Sequence, residues 1–372
     1  MRIGIPKEIK DYEDRVSVIP AGVREFVVNG HTVLVETGAG LGAGLADEAY
    51  VAAGAKIAPD AETVFAESDM IVKVKEPQAV ERQRLREDQI LFTYLHLAPD
   101  PEQTKDLMAS GATCIAYETV TNPAGGLPLL MPMSEVAGRM SVQAGAHCLE
   151  NAKGGCGMLL GGVPGVPAAN VVILGGGVAG THATQMALGL GANVTVIDRS
   201  ADVLRRLNTQ FGTAVKTAYS NAQTVAELVA EAELVIGTVL IPGASAPKLI
   251  TREMLSTMRK GAAIVDVAID QGGCTETSRA TTHSEPTYVV DGVVHYCVAN
   301  MPGGVARTST FALANATLPF GLAIANKGWK QALCDDPHLK AGLNVQAGRI
   351  TYKAVCDALG YDYWDADKAL AA

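Results

Sequence analysis

Residues 171–180, VVILGGGVAG, constrain what this chain can fold into more than any other stretch. Four apolar residues, three of them β-branched, run directly into glycines at positions 175, 177 and 180. This G-x-G-x-x-G spacing is typical of a buried parallel strand that turns sharply into a helix. The first glycine permits the turn, the second lets a pyrophosphate approach the backbone, and the third lets the helix pack closely on its strand. The sequence therefore predicts a phosphate-binding turn, with the first N–H groups of the helix facing the anion.

An acidic residue after the next predicted strand extends this prediction to a dinucleotide. The run NVTVI ends at Asp198, which lies 23 positions after Gly175. An acid about twenty residues past the glycines accepts hydrogen bonds from an adenosine ribose. A carboxylate there would also repel a 2′-phosphate, which favours NAD over NADP. The neighbouring Arg199 could tolerate such a phosphate or could be a solvated surface cation, so the choice between the two cofactors stays open.

The length and the charge of the chain limit the other possibilities. With 372 residues it is too long for one ordinary core, and two domains are expected. A formal net charge of -9 argues against a large basic surface for nucleic acid or anionic lipid and favours a small-molecule ligand. Glycines and charges interrupt every apolar run before it reaches eighteen residues, and the start of the chain does not resemble a secretion signal. We therefore expect a cytoplasmic protein that does not enter the membrane.

The cysteines and histidines do not predict a metal site or a disulfide framework. The seven cysteines are odd in number, scattered along the chain, and never spaced C-x-x-C. An H-E-x-x-H pair, a G-x-S-x-G elbow and a Walker lysine are all missing from the sequence. We expect reduced, mostly buried thiols and no metal.

Alternating apolar and amphipathic stretches predict an α/β fold with two domains. In the first third of the chain, strands are predicted at 2–5, 32–36, 70–74, 90–95 and 113–117, and helices at 20–29, 47–53, 61–67 and 101–110. Later strands are predicted at 171–174, 193–197, 234–236, 263–267 and 289–299, after a long helix capped by Ser134. From 308 onward the pattern is helical, with no strand long enough to start a third sheet. We expect this tail to return to the first domain, which gives a discontinuous domain of 1–130 with 306–372 and a Rossmann domain of 131–305.

Four polar residues lie at or near the ends of predicted strands, where open α/β sheets bind ligands. They are Arg15, Lys75, His96 and Asp270. Each of these residues alone has a structural alternative. The histidine could be at the surface or hydrogen-bonded within the fold, the two cations could be solvated, and the aspartate could form an Asx-turn. Together they supply two cations for a carboxylate, an imidazole that titrates near neutral pH and an acid that can activate water beside a hydride acceptor. Oxidative deamination of a 2-amino acid requires such a set.

Long motifs follow one another along essentially the whole chain: GIPKEIKDYEDRVSVIPAGV, VKVKEP, LFTYLHLA, AYETV, PMSEVAGR, LLGGVPGV, VVILGGGVAG, VDVAIDQGG and CVANMPG followed by RTST. In these motifs and their order the chain resembles the alanine dehydrogenase/transhydrogenase NAD-binding family. The resemblance implies two Rossmann-like domains with mostly parallel sheets and a substrate cleft between them, a homohexamer, and NAD-dependent, reversible oxidative deamination of L-alanine to pyruvate and ammonium.

The resemblance also implies roles for individual residues. Arg15 and Lys75 would hold the substrate, His96 would be the general acid/base, and Asp270 would orient water. Asn300 would lie near the nicotinamide and the substrate. The implied cofactor contacts, together with the glycines of the turn, are Ser134, Gly175, Gly177, Val178, Ala179, Gly180, Asp198, Ser220, Val239, Leu240, Val267, Ala268, Ile269, Asp270, Arg279, Val298, Ala299, Asn300 and Met301. A basic residue that the family often has past the ribose acid is Val203 here, and Arg199 or Arg205 could replace it.

The sequence is also compatible with two other functions. One is a non-catalytic NAD(H)-binding module that docks on a membrane partner, as in transhydrogenase, although such a module needs no substrate clamp. The other is the same chemistry on a different amino acid, which depends on the size of the side-chain pocket.

Overall fold

The computed structural model describes residues 1–239 and 246–371 of the chain. The chain forms two compact units, one made of Met1–Met133 and Val305–Ala372 and the other of Ser134–Gly304. Each unit is built on one mostly parallel sheet with flanking helices. The predicted class, two Rossmann-like α/β units, is therefore confirmed.

The strands and helices are numbered in chain order. The strands are β1 Arg2–Ile5, β2 Thr32–Glu36, β3 Lys56–Ala58, β4 Met70–Val72, β5 Ile90–Thr93, β6 Thr113–Ala116, β7 Asn170–Leu174, β8 Asn193–Asp198, β9 Val215–Tyr219, β10 Leu234–Gly237, β11 Ala263–Asp266, β12 Thr287–Val290, β13 Val293–Tyr296, β14 Leu343–Gln346 and β15 Arg349–Ile350. The helices are α1 Pro20–Val28, α2 Asp47–Ala52, α3 Ala61–Glu67, α4 Ala79–Arg82, α5 Pro101–Ser110, α6 Met131–Cys148, α7 Val178–Gly189, α8 Ala201–Phe211, α9 Ala222–Glu231, α10 Arg252–Thr257, α11 Ala306–Lys327, α12 Trp329–Asp335, α13 Pro337–Lys340, α14 Lys353–Leu359 and α15 Ala366–Ala371.

The first sheet has the strand order β15-β14-β6-β5-β4-β1-β2-β3. Strands β1 to β6 are parallel, and β14 and β15 join antiparallel beyond β6. β1 pairs with β2 on one side and with β4 on the other, so the strand order reverses between β1 and β4. Every residue of β4, β5 and β6 is buried, as expected for strands covered on both faces. Ligands of open α/β sheets bind at the carboxyl ends of the strands beside such a reversal.

The second sheet has the strand order β12-β13-β11-β10-β7-β8-β9. β7 pairs with β8 and with β10, so this sheet reverses at the strand that carries the glycine turn. Alternate residues of β7 pack into separate cores: Val171 and Ile173 into one, Val172 and Leu174 into another. The apolar run at 171–174 is thus explained by burial on both faces of the sheet.

Local sequence signals explain several helix ends. α5 begins after Asp100, whose side chain accepts a hydrogen bond from the amide of Gln103, and has proline in its first turn. It ends at Gly111, which has a φ of 71°. The prediction of 101–110 for this helix is confirmed, and so is that of 61–67 for α3.

Three predictions of secondary structure are wrong. The strand predicted at 289–299 is two antiparallel strands, β12 and β13, joined by a turn in which Asp291 and Gly292 both have positive φ. The tail is not wholly helical, because β14 and β15 form a hairpin through Ala347 and Gly348. Ser134 does not cap α6, which already begins at Met131.

Among the described residues, the helical segment Met301–Lys327 is long and apolar enough to cross a membrane, judged by length and composition only. It consists of a 3-10 turn followed by α11. Leu313 and Ile324 of α11 are fully buried, and a Cβ on Gly321 would lie 3.2 Å from the ring of Phe26 in α1. Such packing is typical of a core helix of a soluble protein, and here α11 belongs to the core of the first unit.

Candidate active site

The glycine turn of the second unit connects β7 to α7. Gly175 has a φ of 98°, a conformation that favours glycine. A Cβ on Gly180 would lie only 1.9 Å from the carbonyl oxygen of Gly175, so the third glycine is needed for helix and turn to approach. A Cβ on Gly177 would meet no protein atom within 4 Å. The space in front of the N-terminus of α7, where Val178 and Ala179 form the first turn, is therefore open to an anionic ligand.

Asp198, at the end of β8, is held beside this turn. One of its carboxylate oxygens accepts a hydrogen bond from the amide of Gly176, and the other from the amide of Ser200, both at 2.7 Å. Val203 packs against the turn, since a Cβ on Gly176 would lie 2.5 Å from its Cγ1. The Asp198 carboxylate is thus fixed by the backbone rather than by a basic neighbour.

Three arginines follow Asp198, and they differ in their surroundings. Arg199 is exposed, and Arg205 forms an exposed ion pair with Asp202. Arg206, which is not among the predicted site residues, donates to the carbonyl oxygen of Gly176 at 2.5 Å and thereby stabilises the glycine turn.

Neighbouring strands complete the surroundings of the turn. The amide of Ser220 donates to the carbonyl of Asp198 at 3.0 Å, after β9. After β10, Val239 lies beside Gly175, where a Cβ would be 3.2 Å from its Cγ2. α6, which contains Ser134, packs on the first turn of α7, because a Cβ on Gly138 would lie 2.1 Å from the carbonyl oxygen of Ala179. The predicted contact Leu240 lies outside the described residues.

The turn after β11 contains four of the predicted contacts. Val267, Ala268, Ile269 and Asp270 form a 3-10 turn in which Ala268 and Ile269 are buried and Asp270 is exposed. The buried Asp266 accepts hydrogen bonds from the amides of Ala268 at 3.1 Å and Cys274 at 2.8 Å. Asp266 thus caps this turn, and within the described part of the chain no hydrogen bond joins the Asp270 side chain to the turn.

The remaining predicted residues of the second unit lie on either side of β13. The guanidinium of Arg279 stacks on the ring of Tyr288 at 4.0 Å. Val298 and Met301 are buried, and the amide of Ala299 donates to the carbonyl of Thr281 at 3.1 Å. Asn300 has a left-handed φ of 61°, and its carbonyl oxygen lies 3.2 Å from Nε2 of His283.

In the first unit, Arg15 is almost completely buried with Glu13. Its Nε and one terminal nitrogen donate to the two Glu13 oxygens at 2.6 and 2.5 Å, and its other terminal nitrogen faces the Met133 sulfur at 3.0 Å. Burial opposes the charge on Arg15, but the Glu13 carboxylate outweighs it and raises the pKa of Arg15 above its ordinary value. Arg15 is therefore a permanent cation on the loop after β1.

Lys75 lies on the loop after β4, with an ammonium 3.9 Å from Oε2 of Glu76. Lys10 bonds to the other oxygen of the same carboxylate. Burial raises the pKa of Glu76, but Lys75 and Lys10 outweigh it, and the pKa lies below its ordinary value. Lys75 thus has an electrostatic partner at a distance too long for a hydrogen bond.

His96 follows β5 with a left-handed φ of 50°, and Glu118 fixes its backbone. The Glu118 carboxylate accepts hydrogen bonds from the amides of Leu95 at 3.2 Å and His96 at 2.6 Å. One of its oxygens also lies 3.8 Å from Nδ1 of His96. The imidazole stacks on the ring of Tyr94 at 5.8 Å and an interplanar angle of 4°, and its side chain is 43% exposed. The imidazole is therefore oriented on one face and accessible on the other.

The structure places Arg15, Lys75 and His96 on the same side of the first sheet. They follow the carboxyl ends of the neighbouring strands β1, β4 and β5. Asp270 and Asn300 belong to the second unit, with the glycine turn. Among the described residues no group of three His, Cys, Asp or Glu side chains could hold a metal ion, and the seven cysteines are free thiols.

Several carboxylates around these residues were missed in the sequence. Glu118 follows β6, and the strand-end rule that selected His96 would have found it. Glu13 lies two positions before Arg15. Glu8 and Glu81 meet Lys73 only through the fold, so the sequence carries no local signal for them.

Family models and a named relative match this chain over nearly its whole length. The model described as "Alanine dehydrogenase/PNT, N-terminal domain" matches residues 4–137, and "Alanine dehydrogenase/PNT, C-terminal domain" matches residues 141–353. The alanine dehydrogenase of Halomonas elongata is 60% identical over 366 residues, which is 98% of this chain and 99% of that protein.

Two solved structures extend the likeness to three dimensions. One named L-alanine dehydrogenase is 54% identical with a TM-score of 0.94, covering 97% of this chain and 99% of the other. A transhydrogenase from Sinorhizobium meliloti is 28% identical with a TM-score of 0.81, covering 95% of this chain and 100% of the other. With both family models matched and relatives this similar over the full length, the chain belongs to the alanine dehydrogenase/PNT family.

Proposed function

We propose that this chain is an NAD-dependent alanine dehydrogenase. It catalyses the reversible conversion of L-alanine, NAD⁺ and water to pyruvate, ammonium, NADH and a proton. The proposal rests on Arg15, Lys75 and His96, which follow the carboxyl ends of three neighbouring strands of the first sheet. It is supported by the 60% identity of the chain to a named alanine dehydrogenase. The first unit binds the substrate and the second binds NAD.

Arg15 and Lys75 hold the substrate. A permanent guanidinium and an ammonium on adjacent loops can bind the carboxylate and the carbonyl oxygen of pyruvate, or the carboxylate of alanine. Because Glu13 already fixes the orientation of the Arg15 side chain, that side chain loses little conformational freedom when the substrate binds. Much of the rate enhancement then comes from orientation of the substrate Cα–H.

His96 is the general acid/base. The amine of alanine must be neutral before hydride leaves, so a base has to take a proton from the amino nitrogen, and later one from the water that attacks the imine. The exposed imidazole of His96 can pass the first proton to solvent, which is the proton that the reaction releases, and can return the second to the nitrogen that leaves. Glu118 and Tyr94 fix its orientation. Asp270 orients the water that hydrolyses the imine.

The second unit holds the cofactor. NAD, when bound, supplies the hydride acceptor. The open face of Gly177 and the first turn of α7 receive the pyrophosphate, and Asp198 accepts from the ribose. The other proposed contacts are Ser134, Ser220, Val239, Leu240, Arg279, the turn 267–270 and residues 298–301, with Asn300 near the nicotinamide and the substrate.

A non-catalytic NAD(H)-binding module is the competing function, since the chain also resembles a transhydrogenase at 28% identity. The substrate cations and His96 favour an enzyme, because a module that only carries NAD(H) needs neither. We also propose a homohexamer that works in the cytoplasm, on the basis of the family resemblance alone. Light scattering coupled to size exclusion tests the hexamer.

One assay separates these functions. The purified protein is mixed with NAD⁺ and each of a panel of L-amino acids while NADH absorbance is followed. Activity with alanine alone supports the proposal, activity with another amino acid changes the substrate, and no activity with any amino acid favours the binding module.

A further inference from the structure

A buried ion cluster lies beneath the proposed substrate cations. The Lys73 ammonium donates to the Glu8 carboxylate at 2.9 Å and to the Glu81 carboxylate at 2.7 Å. The side chains of the three residues are 0%, 2% and 1% exposed, in the order Lys73, Glu8, Glu81. The mechanism proposed above uses none of them.

Stability alone does not account for this cluster. Burying two carboxylates with one ammonium costs several kcal/mol per ion, and well-packed apolar side chains are often as stabilising. Burial lowers the pKa of Lys73, but the two carboxylates outweigh it and raise the pKa above its ordinary value. The ammonium is therefore held charged, and both carboxylates are committed to fixed positions.

Glu8 has a second contact that Glu81 lacks. Its other oxygen accepts a hydrogen bond from the amide of Val74 at 2.7 Å and lies 3.4 Å from the amide of Lys75. The second oxygen of Glu81 instead accepts from the amide of Gln78 at 2.7 Å. Glu8 thus holds the backbone immediately before the proposed substrate lysine, with a short bond to Val74 and a longer contact to the amide of Lys75.

Because of the position of Glu8 in the chain, this contact joins the two loops that carry the substrate cations. Glu8 lies on the loop after β1, which also carries Arg15, whereas Lys75 lies on the loop after β4. Ser17 of the first loop donates to the carbonyl of Val72 at 2.6 Å, so the two loops are tied at a second point. The distance between the two cations depends on how firmly these loops are joined.

We propose that Glu8, anchored by Lys73, is a positioning residue that fixes the backbone of Lys75 relative to Arg15 and so sets the spacing of the substrate cations. This inference rests on the proposed function, because it assumes that both cations hold the substrate. Glu8 touches neither substrate nor cofactor and acts only through Lys75.

The test measures the reductive reaction with pyruvate, ammonium and NADH. Glu8→Ala should raise the KM for pyruvate about tenfold or more, because small misplacements of a binding group are costly. The dissociation constant of NADH, measured by fluorescence, should stay within about twofold, since the glycine turn lies in the other unit. Glu8→Gln can keep an oxygen acceptor for the backbone amides only by turning its NH₂ group toward the Lys73 ammonium, so it should rescue the pyruvate KM only in part.

Glu81→Ala is the matched control. It removes a carboxylate of the same burial that is bonded to the same lysine, and it should lower Tm by a similar amount. It leaves the backbone of Lys75 bonded to Glu8, so the pyruvate KM should change by less than about threefold. Should Glu8→Ala not fold, Glu8→Asp keeps the charge, shortens the reach, and carries the same expected rise in KM.

Equal changes in the pyruvate KM for Glu8→Ala and Glu81→Ala would overturn the inference, because the cluster would then act through stability alone. An unchanged KM in Glu8→Ala or in Glu8→Asp would overturn it as well. Failure of the proposed function gives a different result: the wild-type protein itself would not turn over pyruvate.

Discussion

Replacing Gly177 with alanine isolates the ligand-binding role of the glycine turn from its structural role. The φ of Gly177 is −66°, which alanine adopts without strain, and the added Cβ would meet no protein atom within 4 Å. The loss of glycine at the N-cap and the gain from a stiffer unfolded chain roughly cancel. We therefore expect the free energy of unfolding to change by less than about 1 kcal/mol and Tm by less than about 4 °C.

The same methyl group occupies the space in which the pyrophosphate would contact the backbone. Pushing the anion away from the N-terminus of α7 lengthens at least one charge-assisted hydrogen bond, which is worth about 1.5–3 kcal/mol. The Kd for NADH should therefore rise by roughly 10- to 150-fold. The turnover number at saturating NADH should fall much less, because the substrate residues of the first unit are untouched.

Gly180→Ala is the matched comparison, since it adds the same methyl three positions later. Its Cβ would lie 1.9 Å from the carbonyl oxygen of Gly175, so α7 or the turn has to shift. That variant should lose about 1–3 kcal/mol of stability in addition to NADH affinity. Calorimetry and NADH fluorescence titration measure the two quantities side by side. Wild-type NADH affinity in a stably folded Gly177→Ala protein would refute the reasoning, because the pyrophosphate could not then approach that glycine.

Three further predictions follow from the other described residues. His96→Ala should lower turnover about 100-fold or more while the Kd for NADH stays nearly constant, and near-normal turnover would contradict its role as acid/base. Asp198→Ala should weaken NADH and raise the NADPH-to-NADH ratio of kcat/KM, since a 2′-phosphate no longer meets a carboxylate; an unchanged ratio would exclude Asp198 as the discriminating residue. Burial lowers the pKa of His295, so the unfolded chain takes up the extra proton, and wild-type Tm should fall as pH decreases below about 6.5. His295→Asn should have a smaller pH slope in this range by calorimetry, and an equal slope would assign the acid sensitivity to other groups.

The sequence predicted most of the strands that form the two sheets, because buried parallel strands leave continuous apolar runs. The strand predicted at 113–117, for example, is observed as Thr113–Ala116. The two hairpins were missed for different reasons. Asp291-Gly292 is a strong turn signal that lies within a longer β-rich run, whereas Ala347 with a φ of 46° is a residue that rarely takes this conformation.

The site was predictable only in part. Arg15, Lys75 and His96 were found because they lie just after strands or on the loops that follow them, and the sheet order places those strand ends side by side. The carboxylates that orient Arg15 and His96, Glu13 and Glu118, were overlooked although they lie near Arg15 and after β6. Glu8 could not be found, because it is 65 positions from Lys73 and the two meet only in the folded chain. This pairing depends on tertiary contacts that no local pattern encodes.

The hairpin of β14 and β15 has a consequence for the order of folding during synthesis. β6 has β5 on one side and β14 on the other, and β14 lies more than two hundred residues later, at 343–346. During synthesis the contiguous second unit is complete before β14 is made. Until then, one edge of β6, a strand that is fully buried in the folded chain, has no pairing partner. We therefore expect that edge to remain open to pairing with other chains until β14 has been made.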